Sequence, residues 1–350
     1  MSEQKHVYVG MSGGVDSSLT AALLVEQGYK VTGVYMKNWT QDLPGMRCPW
    51  ADDLADAKRV AVHLGIDFKV FDFENEYREK VVEYMIDEYK AGRTPNPDIM
   101  CNQEVKFKLF LEAALGDGAD LIATGHYARV ADGALLQAVD GNKDQTYFLY
   151  RVTKKALDKT LFPLGEFTKP EVREMAEVRG LITARKKDSQ GICFVGQIGI
   201  REFLSQYVEQ RAGDVIDKQT GKVLGRHDGA IFYTLGQRHG LDIGGGLPYY
   251  VVGKDMDKNE VYVTTNLNDG ALWQNDVPVH SLHWISGQEP GEGKYTVRVR
   301  HRAKLTEVKL SLQADGTAVL HFDDAERAVT SGQSLVLYDG EVCLGGGIVA

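Results

Sequence analysis

The chain has 350 residues, of which 43% are apolar and 25% charged, with a formal net charge of −9 and a mean hydropathy of −0.27. At roughly 150 residues per domain, this length predicts two or three globular domains, and the composition excludes an intrinsically disordered protein. No apolar run approaches the roughly 18 residues of a membrane span, and the N-terminus lacks the pattern of a secretory signal, so we expect a cytoplasmic protein with no membrane partner. The acidic balance argues against a generic nucleic-acid coat, although a local basic groove is compatible with it.

Short apolar strands alternate with helices in the first part of the chain. Strands are predicted at 6–11, 30–36, 68–73 and 119–124, and helices at 17–27, 52–64, 76–89, 104–114, 170–179 and 201–208. Strands that are separated by helices of this length form a parallel sheet covered on both faces. Ligands bind such sheets at the carboxyl ends of the strands, so the site is expected there.

Beyond Gly213 the pattern changes to short β-like runs, such as GAIFYTL at 229–235, separated by turns rich in glycine and aspartate. Short strands at nearly regular spacing are typical of a small barrel or sandwich. The sequence therefore predicts an α/β domain over 1–205, a small β-rich central domain over 206–268 and a C-terminal β-barrel over 269–350.

A glycine-rich loop joins the first predicted strand to the first predicted helix. It runs Gly10-Met11-Ser12-Gly13-Gly14-Val15-Asp16-Ser17-Ser18. Consecutive glycines allow a tight turn that aims backbone N–H groups inward, and the following helix adds its positive N-terminal end, which together make an anion site. The sequence has no GK[ST] here, which excludes a Walker phosphate loop. The alternative is a glycine-rich turn with a serine cap on the helix.

The segment SGGVDSS, placed after a first strand, resembles the PP-loop of the N-type ATP pyrophosphatases. This resemblance implies a parallel-sheet domain of the adenine-nucleotide α-hydrolase type. It also implies that the protein binds ATP, releases pyrophosphate and transfers AMP to activate a carbonyl oxygen. The class contains amide-forming synthetases and several tRNA thiolases, and the motif alone does not choose among them.

Four cysteines are present, Cys48, Cys101, Cys193 and Cys343. They are too few for a disulfide scaffold, and none belongs to a CxxC pair, which argues against structural zinc and a cysteine-ligated iron–sulfur cluster. In a reducing compartment any disulfide is expected to be transient and functional. Cys48 and Cys343 are expected to pack as small apolar side chains.

The other two thiols lie in polar, turn-like segments. Cys101 follows two prolines and precedes a predicted helix, whose N-terminus would stabilise a thiolate. Asp98, three residues earlier, is placed for proton transfer or helix capping. Cys193 follows the basic run 185–187, which also favours a thiolate. We expect both thiols to be partly exposed in loops, although buried cysteines in general pack as small apolar residues.

Six further segments resemble the tRNA-specific 2-thiouridylase family. They are TPNPDIMCN at 94–102, TGHYAR at 124–129, KDQTYFL at 143–149, KDSQGICFVG at 187–196, GAIFYTLGQRHGL at 229–241 and CLGGGI at 343–348. Together with the PP-loop they occur in the family's order along the chain. The resemblance therefore covers the chain from residue 6 to residue 350.

This resemblance implies ATP-dependent 2-thiolation of the wobble uridine of tRNA. ATP would adenylate the 2-oxygen of the base, and a persulfide sulfur would then displace AMP. The resemblance further implies ATP as co-substrate, Mg²⁺ as its companion ion and no bound prosthetic group. The implied partners are a tRNA with a wobble uridine and a sulfur-donor protein, either a cysteine desulfurase or a sulfur-relay protein.

The family roles fall on matching residues of this sequence, with no metal ligand assigned. ATP binding is implied for Gly10, Met11, Ser12, Gly13, Gly14, Val15, Asp16, Ser17, Met36 and Gly125. Contact with the target base or the tRNA is implied for Asn96, Pro97, Asp98, His126, Lys143, Asp144, Gln145, Arg300, His301 and Gln333. Asp98 is the implied general acid/base. Cys193 is the implied persulfide carrier, and Cys101 the nucleophile that closes a transient disulfide with it.

A basic run near the C-terminus offers a surface for RNA. Residues 294–304 read KYTVRVRHRAK, and on a continuous strand the basic residues at even positions would project from one face. The alternative is a polar strand face that is simply solvated.

Two other functions stay open from the residues alone. One is a different PP-loop enzyme, an amide-forming synthetase or another tRNA thiolase, although amide formation does not require two cysteines in polar loops. The other is a non-catalytic nucleotide sensor with an RNA-binding β domain, which has no use for the thiols. Sulfur-dependent pyrophosphate release in the presence of tRNA distinguishes the three functions.

Overall fold

The computed structural model describes residues 4–42, 48–188, 199–241, 243–244, 246 and 248–350. The predicted persulfide carrier Cys193 lies outside the described residues. Within those ranges, no helix is long and apolar enough to cross a membrane.

A parallel five-stranded sheet organises the N-terminal region. The strands of this region are β1 (His6–Gly10), β2 (Lys30–Lys37), β3 (Asp67–Asp72), β4 (Leu121–Ala123), β5 (Arg129–Ala131), β6 (Ala134–Leu136) and β7 (Thr160–Leu161). Five of them pair in parallel in the order β3-β2-β1-β4-β7, which confirms the predicted sheet. The chain order reverses between β1 and β4, where sheets of this kind bind their ligands.

Helices cover both faces of this sheet. They are α1 (Val15–Glu26), α2 (Trp50–Leu64), α3 (Glu74–Tyr77 continuing through Arg78–Glu83 to Tyr84–Lys90), α4 (Pro97–Met100 continuing through Cys101–Phe110 to Leu111–Gly116), α5 (Thr146–Leu149), α6 (Lys154–Leu157), α7 (Lys169–Val178) and α8 (Ile200–Leu204). The middle stretches of α3 and α4 are π-helical. Side chains of β1 alternate between the faces, so Val7 and Val9 pack with Leu19 of α1, whereas Tyr8 packs with Phe110 of α4.

The central region is a four-stranded sheet with the order β10-β11-β8-β9. Its strands are β8 (Gly213–Asp217), β9 (Val223–His227), β10 (Tyr250–Asp255) and β11 (Glu260–Thr264). The predicted strand at 229–235 is wrong, because Ala230–Phe232 form a turn of 3₁₀ helix. Gly229 immediately before it has a φ of 152°, which glycine adopts readily and which breaks an extended run.

The C-terminal region is a closed six-stranded barrel, as predicted. Its strands are β12 (Trp273–Trp284), β13 (Gly293–Arg298), β14 (Thr306–Leu312), β15 (Ala318–Arg327), β16 (Ser334–Asp339) and β17 (Val342–Val349). They follow the order β12-β15-β14-β13-β16-β17, and pairing of β12 with β17 closes the barrel. The β5–β6 hairpin of the N-terminal region pairs with β17, where Cys343 lies opposite Leu135. Cys343 is buried in this strand, which confirms its expected apolar packing.

The basic run at 294–304 is not a continuous strand, and the predicted one-sided basic face is wrong. β13 ends at Arg298, which is buried and paired with Asp144. The chain then turns, and Arg302 has a φ of 62°. Alternation of side chains between two faces holds only while the backbone stays extended, so residues beyond Arg298 do not continue its pattern. Arg300 is exposed in the turn.

Candidate active site

A cleft of about 450 Å³ lies at the carboxyl ends of β1 and β4. β1 leads into the PP-loop and β4 into the segment 124–127, so the two loops face each other where the strand order reverses. The predicted ATP-binding residues that line the cleft are Gly10, Met11, Ser12, Gly14, Val15, Asp16, Ser17, Met36 and Gly125. The predicted RNA-binding residues that line it are His126, Lys143, Gln145 and His301. One cleft therefore brings nine of the ten predicted ATP-binding residues together with four of the ten predicted RNA-binding residues.

Hydrogen bonds within the PP-loop hold its shape. The backbone N–H of Ser12 donates to Oγ of Ser17 over 3.1 Å, and the hydroxyls of Ser17 and Ser18 donate to the carbonyl of Gly14 over 3.2 and 2.8 Å. Gly14 is the N-cap of the 12-residue helix α1, and no side chain of the described residues caps this helix. The N–H groups of its first turn are therefore available to a phosphate.

Two glycines allow the loops around the cleft to approach each other. A Cβ on Gly125 would lie 2.8 Å from the backbone nitrogen of Ser17 and 2.9 Å from the carbonyl carbon of Asp16. Gly13 has a φ of 72°, and a Cβ there would lie 2.3 Å from the carbonyl oxygen of Asp53. Larger residues do not fit at either position, so the loop geometry requires glycine.

The carboxylate of the PP-loop is paired with a buried lysine. Nζ of Lys169 lies 2.7 and 2.8 Å from the two carboxylate oxygens of Asp16, and Lys169 is only 8% exposed. The hydroxyl of Tyr127 donates to the same carboxylate over 2.9 Å. Burial and the negative charge of Asp16 raise the pKa of Tyr127, which keeps this hydroxyl protonated. Sequence analysis missed Lys169, because its ion pair depends on packing.

Asp188, which also lines the cleft, accepts from three cations. Lys143, Lys169 and Arg173 lie 2.7, 2.9 and 2.6 Å from its carboxylate. Although burial opposes ionisation, hydrogen bonds from Lys143 and Lys169 lower the pKa of Asp188 to about 2. Asp188 is therefore ionised throughout the physiological range. Ion pairs thus connect Asp16 of the PP-loop, through Lys169, to Asp188, and Asp188 to Lys143 in the segment at 143–145.

The basic run 185–187 supplies less positive charge than its sequence predicts. Arg185 lies 3.0 Å from Glu177, and Lys186 lies 2.8 and 2.7 Å from Asp53 and Asp56. These acidic partners offset the charges of Arg185 and Lys186. The predicted positive setting of Cys193 stays a prediction, because Cys193 lies outside the described residues.

Cys101 lies inside α4 and not ahead of it. The helix begins at Pro97, and Oδ1 of Asn96 caps it by accepting the backbone N–H groups of Asp98 and Ile99 over 3.1 and 3.3 Å. Cys101 is 1% exposed, so the expected exposed loop thiol is wrong. Proline is favourable in the first helical position, which starts the helix earlier than the apolar pattern predicts. Asp98 and Cys101, three positions apart, are neighbours on the helix surface.

His126 presents a neutral imidazole to the cleft. It is buried, and its Nδ1 lies 2.8 Å from Oγ1 of Thr124. Burial, with a smaller effect from Lys106, holds the pKa of His126 well below its usual range. Lys106 itself lines the cleft from the π-helical stretch of α4. It lies outside every segment assigned a role in the sequence, and it adds a positive charge to the cleft that the PP-loop lines.

His301 reaches the same cleft from the turn after β13. Burial, together with Arg302 and Arg298, lowers the pKa of His301 to about 4, so its ring is uncharged at neutral pH. The ring centroid lies 4.5 Å from that of Phe148. A neutral ring in this position suits stacking or hydrogen bonding with a base better than pairing with a phosphate.

The remaining predicted RNA residues lie outside the cleft lining. Asp144 is wholly buried, whereas Asn96, at the start of α4, is partly exposed. Gln333 belongs to a barrel turn that contacts the same N-terminal segment, since the carbonyl of Ser331 accepts the backbone N–H of Thr94 over 2.8 Å. The structure therefore brings Gln333 close to the predicted target-base segment.

Part of the cleft lining is aromatic. Trp39, Trp50 and Tyr77 line the cleft together with Cys48. Cys48 is buried, its thiol donates to the carbonyl of Trp39 over 3.7 Å, and burial raises its pKa. Its expected apolar packing is confirmed, although sequence analysis did not place it at the cleft.

The carboxylates of the cleft are already neutralised. Asp16, Asp53 and Asp188 each accept a lysine ammonium. Among the described residues no group of three or more metal-ligating side chains is present. The described side chains do not form a protein-only Mg²⁺ site, because their oxygen ligands are occupied by ammonium groups.

The fold and the cleft define a class of protein. A parallel sheet with a PP-loop at its point of reversal, followed by two β domains, is the architecture of a PP-loop enzyme with appended modules. Three family models match it in order, the tRNA methyl transferase HUP domain over 5–197, the tRNA methyl transferase PRC-barrel domain over 201–265 and the aminomethyltransferase beta-barrel domain over 274–349.

Full-length relatives identify the family. The chain is 49% identical to a protein of Lacticaseibacillus paracasei, over 98% of this chain and 93% of that one. It is 48% identical to a protein of Bacillus subtilis (99% and 95%) and 47% identical to one of Methylobacillus flagellatus (99% of both chains). All three are named tRNA-specific 2-thiouridylase MnmA. The chain belongs to the tRNA-specific 2-thiouridylase family.

Proposed function

We propose that this protein catalyses the ATP-dependent 2-thiolation of the wobble uridine of tRNA. Family membership supports the reaction. The structural observation that carries the proposal is the shared cleft, in which the PP-loop lies together with His126, Lys143, Gln145 and His301. A nucleotide loop and base-binding residues in one cleft can bring the α-phosphate of ATP to the oxygen of a base.

The first step is adenylation of the base. The N–H groups of the PP-loop and of the first turn of α1 bind the phosphates of ATP. The 2-oxygen of uridine attacks the α-phosphorus, an O–P bond forms, and pyrophosphate leaves. Lys106, Lys143 and Arg302, which line the cleft, stabilise the negative charge that develops. Mg²⁺ accompanies the phosphates in this proposal, and no residue of the chain is assigned to it.

The second step transfers sulfur. A cysteine desulfurase or a sulfur-relay protein loads a persulfide on Cys193. The terminal sulfur attacks C2 of the base, its proton leaves, and the C–O bond to AMP breaks. The thiolate of Cys101 then attacks Sγ of Cys193, which closes a disulfide and leaves the terminal sulfur on the base as the thiocarbonyl. An external thiol reduces the disulfide, and Asp98 moves the proton as general acid/base.

Each of the three regions has its own part in the proposed reaction. Residues 1–205 carry the adenylation and sulfur chemistry, 206–268 form the central domain, and 269–350 contact the tRNA through Arg300, His301 and Gln333. An enzyme that uses ATP, tRNA and a sulfur-donor protein acts in the cytoplasm.

Reconstitution tests the proposed function. Purified protein is incubated with ATP, Mg²⁺, a persulfide-generating desulfurase and a tRNA transcript, and nucleosides are analysed by mass spectrometry. We expect 2-thiouridine, AMP and pyrophosphate. A transcript with cytidine at the wobble position is the control and should give no thiolated product. Release of ADP and phosphate, or pyrophosphate release that ignores both tRNA and sulfur, contradicts the proposal.

A further inference from the structure

We propose that Asp144 and Arg298 form a positioning pair that sets the cleft residues of the barrel against those of the N-terminal region. Nη1 of Arg298 lies 2.7 Å from Oδ2 of Asp144, and their side chains are 8% and 0% exposed. The two residues are 154 positions apart in sequence. The inference rests on the proposed function, and it gives Asp144 a role different from the RNA contact implied by the family resemblance.

Both partners of the pair are held in one orientation. Oδ1 of Asp144 accepts the backbone N–H of Ala138 over 3.0 Å, and Oγ1 of Thr146 donates to the same carboxylate. The guanidinium of Arg298 lies over the ring of Tyr338 at 5.5 Å, and the hydroxyl of Tyr338 lies 3.1 Å from Oγ1 of Thr146. Because buried charges need such partners, these contacts restrict the orientations open to the pair.

On the N-terminal side, the pair fixes a segment that lines the cleft. Lys143 and Gln145 flank Asp144, and both line the cleft. Gln145 exchanges hydrogen bonds with the backbone of Tyr127, while Lys143 pairs with Asp188. The side chain of Asp144 is buried, so we infer that it affects RNA binding by fixing the positions of Lys143 and Gln145.

On the barrel side, the pair fixes the turn after β13. Arg298 is the last residue of that strand, and His301 and Arg302, three and four positions later, both line the cleft. Nε of Arg302 donates to the carbonyl of Asn142 over 3.2 Å, which adds a second contact between the turn and the segment before Asp144. The cleft wall that is proposed to hold the base is therefore assembled from two domains around one buried pair.

The nucleotide end of the cleft has supports of its own besides the ion pairs of Asp188 that link it to the segment carrying Asp144. The PP-loop is held by its own serines and by the contact of Asp16 with Lys169. Loss of the pair should therefore leave ATP binding in place and impair the steps that need tRNA. A displacement of about 1 Å at reacting groups can cost about 100-fold in rate, which is the loss we expect.

The test uses the full-length protein and five variants. Asp144→Asn, Arg298→Met and the double variant remove the pair, Arg298→Lys keeps a cation beside Asp144, and Lys309→Met removes an exposed cation from the adjacent strand β14. Affinity for ATP without tRNA, and kcat and KM for tRNA-dependent pyrophosphate release, are measured for each. Circular dichroism confirms that each variant is folded.

We expect kcat/KM for tRNA to fall about 100-fold in Asp144→Asn and in Arg298→Met, with no further loss in the double variant, because both substitutions remove the same interaction. The affinity for ATP should stay within about twofold, Arg298→Lys should recover part of the activity, and Lys309→Met should match the wild type.

Unchanged tRNA kinetics in Asp144→Asn and Arg298→Met overturn the inference. Parallel loss of ATP affinity in all four pair variants also overturns it, because the pair then only maintains the fold. If the wild-type protein shows no tRNA-dependent reaction, the proposed function and the inference are overturned together. If the wild type thiolates tRNA and the pair variants do so with the same kinetics, only the inference is overturned.

Discussion

Nζ of Lys169 lies 2.7 and 2.8 Å from the two carboxylate oxygens of Asp16, so a lysine 153 positions away neutralises the carboxylate of the PP-loop. An aspartate beside an anion site would otherwise repel the phosphates of ATP. The pairing explains how an acidic residue is tolerated at the mouth of the phosphate-binding helix.

Replacing Lys169 should therefore weaken ATP binding. In Lys169→Met the carboxylates of Asp16 and Asp188 lose their shared cation, and we expect KM for ATP to rise at least about 10-fold through charge repulsion. The measurement is tRNA-dependent pyrophosphate release at varied ATP. Lys154→Met, which removes an exposed lysine paired with Asp158, is the matched control and should leave KM unchanged. Equal KM values in Lys169→Met and wild type would show that the pair is electrostatically unimportant.

A side chain at position 125 should also block the nucleotide site. In Gly125→Ala the new Cβ would lie 2.8 Å from the backbone nitrogen of Ser17, so the start of α1 must shift. We expect at least about a 10-fold loss of ATP affinity by calorimetry, because the phosphate-binding N–H groups move with the helix. Gly225→Ala, whose Cβ meets no atom within 4 Å, should bind ATP normally. Normal binding by Gly125→Ala would contradict the assignment of this loop to ATP.

The two predicted catalytic thiols should fail at different steps. Cys193→Ser cannot carry a persulfide, so it should adenylate tRNA slowly and form no 2-thiouridine with any protein donor. Cys101→Ser should load the persulfide on Cys193 and stall before release. A single turnover of wild type without reductant should leave a Cys101–Cys193 disulfide, visible as one linked peptide in a non-reduced digest. Wild-type thiolation by Cys193→Ser would refute its role.

Burial makes a stability control necessary for Cys101. Because Cys101 is 1% exposed, a serine hydroxyl there should lower the free energy of unfolding by about 1–3 kcal/mol. Val261 of β11 is also buried, in the core cluster of the central sheet, which is separate from the cluster that contains Cys101. Val261→Thr buries a hydroxyl in the same way, so it should lose comparable stability by chemical denaturation and keep thiolation activity. Loss of thiolation in Val261→Thr would attribute the Cys101 effect to stability alone.

Arg300 is predicted to contact the tRNA backbone. It is exposed in the turn after β13, next to His301 of the cleft. Arg300→Glu should weaken tRNA binding and lower the log–log salt slope by about one, because one phosphate contact is lost. Binding is measured by filter retention at several salt concentrations, with Lys309→Glu on β14 as a control of equal charge change. If both variants behave alike, the effect is long-range charge and not a contact.

The free energy of unfolding should decrease as the pH falls below 6.5, the ordinary pKa of a histidine side chain. The pKa of His301 is lowered from 6.5 to about 4, mainly by burial. Between these values the unfolded chain binds a proton that the folded chain does not, so the free energy of unfolding falls as pH decreases from 6.5 to 4. His301→Asn should reduce this dependence in denaturant titrations and leave the part that buried His126 contributes, whereas His239→Asn, at an exposed site, should match the wild type. Identical pH profiles for His301→Asn and wild type would contradict the lowered pKa.

Local sequence patterns determined the parallel sheet, the glycine-rich loop and the short strands of the C-terminal region, whereas closure of the barrel is seen only in the structure. Apolar periodicity and the glycine-rich loop depend on residues close together in the chain, and such patterns predict which face of a strand or helix is buried. They failed at element ends set by a backbone conformation, as at Gly229, or by a favourable first helical residue, as at Pro97. The placement of Cys101 inside α4 follows from the second of these.

Only the tertiary structure decided how the charges are paired. Lys169 meets Asp16 across 153 positions and Arg298 meets Asp144 across 154. In the sequence, Arg298 belongs to the basic run 294–304, whose cations were predicted to face solvent or RNA. The fold buries it, because the barrel strand that carries it packs against the N-terminal region. Contacts of this kind depend on the packing of elements that are distant in the chain, and no local periodicity encodes them.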